Sequence, residues 1–162
     1  MHILTGSGDP REFRVGIVLS TYHDFVTSRL RDGAVEALRN AGIDTEAVVV
    51  VAVPGAFEIP QAARRLAASG RVDAVICLGC LIRGQTPHFD LIASAVAHGV
   101  TEAALDSGIP MTFGVLTTTS AEEALARAGA GSSNKGWEAA EAVLVMTRLF
   151  RELSPADPER GG

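Results

Sequence analysis

The sequence predicts an α/β fold: a four-stranded parallel sheet with helices on both faces, a three-layer α/β/α sandwich. Three observations predict it. Short runs rich in Val and Ile recur at residues 13–20, 45–53, 72–78 and 110–118, and each is nearly continuous in apolar character, as a strand buried on both faces must be. Between them, apolar residues return every three or four positions, the spacing of amphipathic helices. Strand and helix signals alternate, so successive strands are joined by crossovers and lie parallel.

Residues 1–12 read as a short arm, in which His2, Ile3 and Leu4 can form a brief strand. The arm has too little apolar content to pack on its own domain. It is expected to add a strand to the sheet edge of a neighbouring subunit. A single domain spans residues 13–153. Its first strand (FRVGIVLS) is followed by Asp24, an N-cap candidate, and a helix to about Ala41 with Phe25, Val26, Leu30, Ala34, Val35 and Leu38 inward and Gly42 as its stop. The second strand fills 45–53, and the turn at 54–60 leads into a helix ending at Ser69 and Gly70. The third strand runs into residues 79–90, GCLIRGQTPHFD. There Thr86 is placed to cap the next helix and Pro87 suits its first turn. Leu91, Ile92, Ala95, Val96, Val100, Ala103 and Ala104 form that helix's inner face, and it ends near Gly108. After the fourth strand, Ser120-Ala-Glu-Glu is a capping box, with Ser120 as N-cap and Glu123 reaching back over a short helix that ends near Ala128. A Gly/Ser loop precedes the last helix, 135–153, whose Trp137, Ala140, Leu144 and Met146 are expected to be buried. Residues 154–162 are charged and contain Pro and Gly, and are expected to be disordered. The order of elements resembles a flavodoxin-like sandwich.

Hydrophobic residues make up 47% of the 162 residues, and the mean hydropathy is +0.23. No apolar stretch is long enough to span a membrane, so the surplus is expected to be buried between subunits. The net charge of −5 argues against general nucleic-acid binding and means that an anion must be attracted locally. The first residues are polar and Gly-rich, unlike a signal peptide, which makes the cytoplasm the expected compartment. Cys77 and Cys80 have the CxxC spacing of a redox pair, but three residues apart on a strand they point to opposite faces. Two such thiols are also too few for a zinc site, so no metal is expected. The run 129–136 superficially resembles a phosphate loop, but it lacks the Gly-Lys-Ser/Thr ending and follows a helix rather than a strand.

The chemistry concentrates past the strand ends, where open α/β sheets bind ligands. Gly84 precedes a helix N-terminus, whose free N–H groups and positive dipole end suit a phosphate. His88, one residue into the helix, is a candidate proton shuttle near neutrality. Tyr22-His23, Ala56-Phe57-Glu58, and Phe113 with Arg127 and Lys135 are further clusters just past strand ends or in the loops beyond. Each has a purely structural reading as well. Tyr22 can be interface packing, Glu58 a helix-start charge, Arg127 a helix-end charge, and Lys135 a surface partner of Glu138.

GAFEIP (55–60), IRGQTPHFD (82–90), FGVLTT (113–118) and RAG…NKGWEAA (127–140), in this order, resemble the lumazine synthase family of the riboflavin pathway over residues 14–151. The resemblance implies condensation of 5-amino-6-(D-ribitylamino)uracil with 3,4-dihydroxy-2-butanone 4-phosphate to 6,7-dimethyl-8-ribityllumazine, phosphate and water, with no cofactor. It implies that Tyr22 stacks on the pyrimidine, that Ala56, Phe57 and Glu58 hold the ribityl chain and ring edge, and that Cys80, Leu81 and Ile82 lie beside the ring. Gln85, Thr86 and Arg127 would bind phosphate, His88 would transfer protons, and Lys135 would touch substrate. Phe113 would reach the ring bound by a neighbouring subunit. Many members carry Phe or Trp at the position of Tyr22 and Asn at that of His23. The resemblance further implies a homopentamer with sites between subunits, and riboflavin synthase as a partner. It leaves a hollow shell of sixty subunits open, because the loop between Arg127 and Asn134 is short, as in shell formers, yet lacks their common lysine. Two rival functions are an archaeal-type riboflavin synthase on the same scaffold and a non-catalytic flavin-binding or shell protein. The complete set of Gln85, Thr86 and Arg127 favours the phosphate-using reaction, and an intact His88 and Arg127 argue against a non-catalytic protein.

Overall fold

The computed structural model describes residues 1–155. In chain order its strands are β1 (Val15–Ser20), β2 (Val49–Val53), β3 (Ala74–Ile82) and β4 (Met111–Thr118), all parallel, in the sheet order β2-β1-β3-β4. The two central strands carry the most continuous apolar runs: β1 is buried throughout and β3 from Ala74 to Cys80. Edge strand β2 alternates instead, with Val50 and Ala52 exposed.

Helices α1 (Asp24–Asn40) and α5 (Lys135–Leu153) cover one face of the sheet, and α2 (Ile59–Ala68) and α3 (His88–Ser107) cover the other. The short α4 (Ala121–Ala126) follows β4. Residues of β1 and β3 alternate between two cores: Ile17, Leu19, Ile76 and Leu78 pack with α1 and α5, while Val18, Val75 and Cys77 pack with α2 and α3. Cys77 and Cys80 therefore belong to opposite cores, and burial pushes their thiols up to about 12 and about 11. Neither is a thiolate at neutral pH.

Several local expectations are corrected. Residues Thr45–Ala47 form a 3-10 turn rather than strand, because the Asp44 carboxylate accepts from the Glu46 N–H and bends the chain before β2. Asp24 is the first residue of α1 and not its cap; that place is taken by His23, with φ of 61°, while α3 starts after Pro87 with no capping bond from Thr86. Phe25, Leu91, Ala95 and Met146, expected inside, are exposed, and Trp137 is half-buried. Among the described residues the arm forms no strand, and Ile3 and Leu4 are exposed. Its later residues nonetheless pack on their own domain: Ser7 donates to Glu152 through its N–H and hydroxyl, and Pro10 is buried. Residues 154 and 155 are described, but the rest of the tail expected to be disordered lies outside the described residues.

Two close approaches fix the helices that carry the site. Gly99 on α3 faces Pro60 on α2, where a Cβ would come within 2.7 Å of the proline ring. On the other face, the buried Asn134 side chain caps α5 by accepting from the N–H groups of Gly136 and Trp137, and it donates to the carbonyls of Arg29 and Gly129. Gly33 leaves room for that side chain, and Gly136 brings α5 against the Leu30 carbonyl of α1. One amide thus ties the 129–134 loop, α1 and α5 together.

Candidate active site

The carboxyl ends of β1, β2 and β3 open on a cleft of about 710 Å³, lined by Tyr22, His23, Ala56, Phe57, Glu58, Leu81, Ile82, Gly84, Thr86 and His88 among others. Its position follows from the strand pairing. The Thr21 and Tyr22 N–H groups continue the β1–β2 ladder onto the Val53 and Pro54 carbonyls, which sets Tyr22 beside the 55–58 turn. Tyr22 and Phe57 are 67% and 56% exposed, two open aromatic faces in one cleft. Glu58 folds back toward Gly55, where a Cβ would lie 3.1 Å from Oε2.

The loop after β3 is held at both ends. The Arg83 N–H donates to the Thr118 carbonyl, and its guanidinium donates to both oxygens of Asp90 while lying 4.5 Å over the Phe89 ring. This bracket spans Gly84 to Pro87 and sets the start of α3. No side chain caps that helix, so its first N–H groups stay open toward the loop and the exposed His88. Gln85 is exposed on the same loop without lining the cleft, and Cys80, 2% exposed, does not line it either.

His23 is a part of this cleft that the sequence reading left without a role. Its imidazole packs edge-on against Tyr22 and Phe25, at ring distances of 4.5 and 5.8 Å, and burial lowers its pKa. Its left-handed backbone is unusual for a non-glycine residue and lies at the site's rim, where such strain is common.

Phe113, Arg127 and Lys135 lie elsewhere. With Glu138, Ala139 and the length of β4 they line a second cleft of about 520 Å³, between the edge strand and α5. The two clefts share no lining residue. In the second, each cation meets a carboxylate. Arg127 Nη1 is 3.1 Å from Glu123 Oε1, and Lys135 Nζ donates to both oxygens of Glu138 at 3.0 and 2.8 Å. The i,i+4 and i,i+3 spacings that make these pairs are legible in the sequence, as is the seven-residue spacing of Arg83 and Asp90. The reach of Asn134 to α1 leaves no such signal.

The family model for 6,7-dimethyl-8-ribityllumazine synthase matches residues 12–151. The chain is also 48% identical, over 140 residues, to the 6,7-dimethyl-8-ribityllumazine synthase of Syntrophus aciditrophicus (strain SB), covering 86% of this chain and 91% of that one. Four ordered motifs, a four-stranded parallel sheet with helices on both sides, and these two matches agree: the chain belongs to the 6,7-dimethyl-8-ribityllumazine synthase family and catalyses its step of riboflavin biosynthesis.

Proposed function

We propose that the reaction takes place in a site assembled from two copies of this chain, in which the His88 cleft of one meets the Arg127 cleft of the next around a homopentamer. The observation that carries this reading is the separation of the two clefts within one chain. The reaction needs an aromatic platform and a proton shuttle for the pyrimidine and a cation for the departing phosphate, and one chain keeps these apart. A head-to-tail ring brings every first cleft against a second one.

Within that site the pyrimidine stacks on Tyr22, and its ribityl chain lies along Ala56, Phe57 and Glu58, whose carboxylate accepts from hydroxyls. The backbone of Cys80, Leu81 and Ile82 borders the ring, and Phe113 of the adjacent copy closes over it. Gln85, Thr86 and the open start of α3 receive the phosphate group, with Arg127 across the interface. Lys135 lies beside it. His88 moves protons as the ring amine attacks the ketone, water leaves and phosphate is eliminated. Holding both substrates in register supplies much of the acceleration, at most ~7–11 kcal/mol in ideal cases.

Mixing two crippled variants tests the shared site. His88→Ala and Arg127→Ala each lose most lumazine formation, measured by product absorbance at limiting butanone phosphate. Co-refolded in equal amounts, they regain ~25% of wild-type activity, because about one interface in four then joins two intact halves. Activity no higher than the mean of the two variants would show that each chain works alone. Sedimentation of the wild type gives the ring size and reads any larger shell directly.

A further inference from the structure

The capping box at the start of α4 requires an acceptor at position 123, not a charge. Glu123 Oε2 accepts from the Thr119 N–H at 2.8 Å and from the Thr119 hydroxyl at 2.7 Å, and the Ser120 hydroxyl accepts from the Glu123 N–H in return. A glutamine would fill this role equally well. What the negative charge adds is the other oxygen, Oε1, turned to Arg127 one helical turn on. Thr119 pins the carboxylate, and the carboxylate pairs with the guanidinium that lines the second cleft. The hydrogen bonds from the Thr119 N–H and hydroxyl also lower its pKa, so it stays charged at neutral pH.

We propose that Glu123 latches Arg127 in the unliganded cleft and competes with the phosphate group for it, so that this carboxylate sets how tightly phosphate is held and how readily it leaves. The proposal rests on the reading of Arg127 as the phosphate-binding cation. The surroundings point the same way. The second cation of the cleft, Lys135, is matched by Glu138, so the four groups Glu123, Arg127, Lys135 and Glu138 sum to zero charge. A dianion entering this cluster meets a guanidinium whose Nη1 is already paired with Glu123 and whose charge that carboxylate offsets. When phosphate departs as product, Glu123 recaptures the guanidinium. A bare arginine facing the same cleft would bind both the substrate and inorganic phosphate more tightly and be slower to release the latter.

The test is Glu123→Gln, which keeps the acceptor for Thr119 and removes the charge. Its Michaelis constant for butanone phosphate and its inhibition constant for inorganic phosphate are both expected to fall about two- to fivefold, the scale of an exposed ion pair. The Michaelis constant for the pyrimidine is expected to stay as in the wild type, which a general loosening of α4 would not leave untouched. Glu122→Gln makes the same change of net charge on the exposed side of the same turn and is expected to leave all three constants alone. Unchanged or raised phosphate constants in Glu123→Gln, or an equal fall in Glu122→Gln, would overturn the latch. Arg127→Ala separates this from the underlying reading. If it leaves the phosphate constants at wild-type values, Arg127 is not the phosphate cation. If it raises them while Glu123→Gln fails to lower them, the latch alone is wrong.

Discussion

The two faces of the sheet are finished to different degrees. Helix α5 has 19 residues and buries six of them, joined to α1 through the fully bonded Asn134 amide. Helix α3 has 20 residues and buries only Val96, Val100 and Ala103, leaving Leu91 and Leu105 at 68% and 78% exposure. Leu105 forms an apolar groove with Ala97, Val100, Ala104, Met111 and Phe113, beside the edge strand β4. The first face is cross-linked by hydrogen bonds within one chain; the second lacks such a tie and presents apolar surface of the kind that other subunits cover. The incomplete face adjoins residues of both clefts, since Phe113 borders this groove and the Arg127 cleft, while His88 begins α3. The two clefts thus draw on both sides of the sheet: α5 lines the Arg127 cleft and α3 the His88 cleft. (On α5 itself, Val145, Met146, Phe150 and Leu153 also remain exposed.)

The comparison breaks most sharply at Gly136. A Cβ there falls on the Leu30 carbonyl of α1, and backbone cannot yield as a flexible side chain does. Gly136→Ala is expected to cost about 3 kcal/mol, at the upper end of overpacking penalties, or to prevent folding. A urea titration or the yield of folded protein reads this. A midpoint near that of the wild type would mean that α1 and α5 are not locked. On the open face, Leu105→Asp is expected to leave the fold of the single chain within about 0.5 kcal/mol, as for an exposed site. Its effect should fall on assembly, lowering the sedimenting mass from that of the wild type. An unchanged mass would remove this groove from the interface.

Much of this contrast was legible in the sequence, and the exceptions have a common physical origin. Four strands and their parallel order followed from apolar runs separated by helix-length segments, and Ser120 caps α4 as its spacing required, although Glu123 reaches back to Thr119 rather than to Ser120 itself. Opposite faces for Cys77 and Cys80 followed from the period of a strand alone. The misplaced residues were apolar ones: Phe25, Leu91, Ala95 and Met146 fit the helical period yet are exposed in one chain. Periodicity reports that a residue seeks burial, not whose surface provides it. Caps failed differently. Asp24 and Thr86 are good N-cap residues, but the backbone at His23 and Pro87 decides where each helix starts. The candidate site residues were named from their motifs, whereas their division between two clefts depends on β4 being an edge strand, and the reach of Asn134 across the chain needed coordinates.

The smallest expected effect lies where both faces share one rim. Arg14 and Asp73 precede β1 and β3 and join them at the end opposite the His88 cleft. The Asp73 N–H donates to the Arg14 carbonyl, and the Asp73 carboxylate accepts from the Arg14 N–H and guanidinium at 2.8 to 3.2 Å. Partial burial raises the carboxyl's pKa, but the hydrogen bonds and charge of Arg14 outweigh this and hold it below the usual value. A carboxyl with a lowered pKa in the folded state adds stability above its unfolded pKa, and this is lost as pH falls through the folded value. Asp73→Asn is therefore expected to cost about 1 kcal/mol at neutral pH, a modest figure because the pair is partly exposed. The gap from wild type should hold down to about pH 5, where an unfolded aspartate begins to protonate, and narrow below it. Urea midpoints of both proteins across this range measure the gap. A gap independent of pH would assign the loss to packing, and one that widened in acid would reverse the sign argued for Asp73.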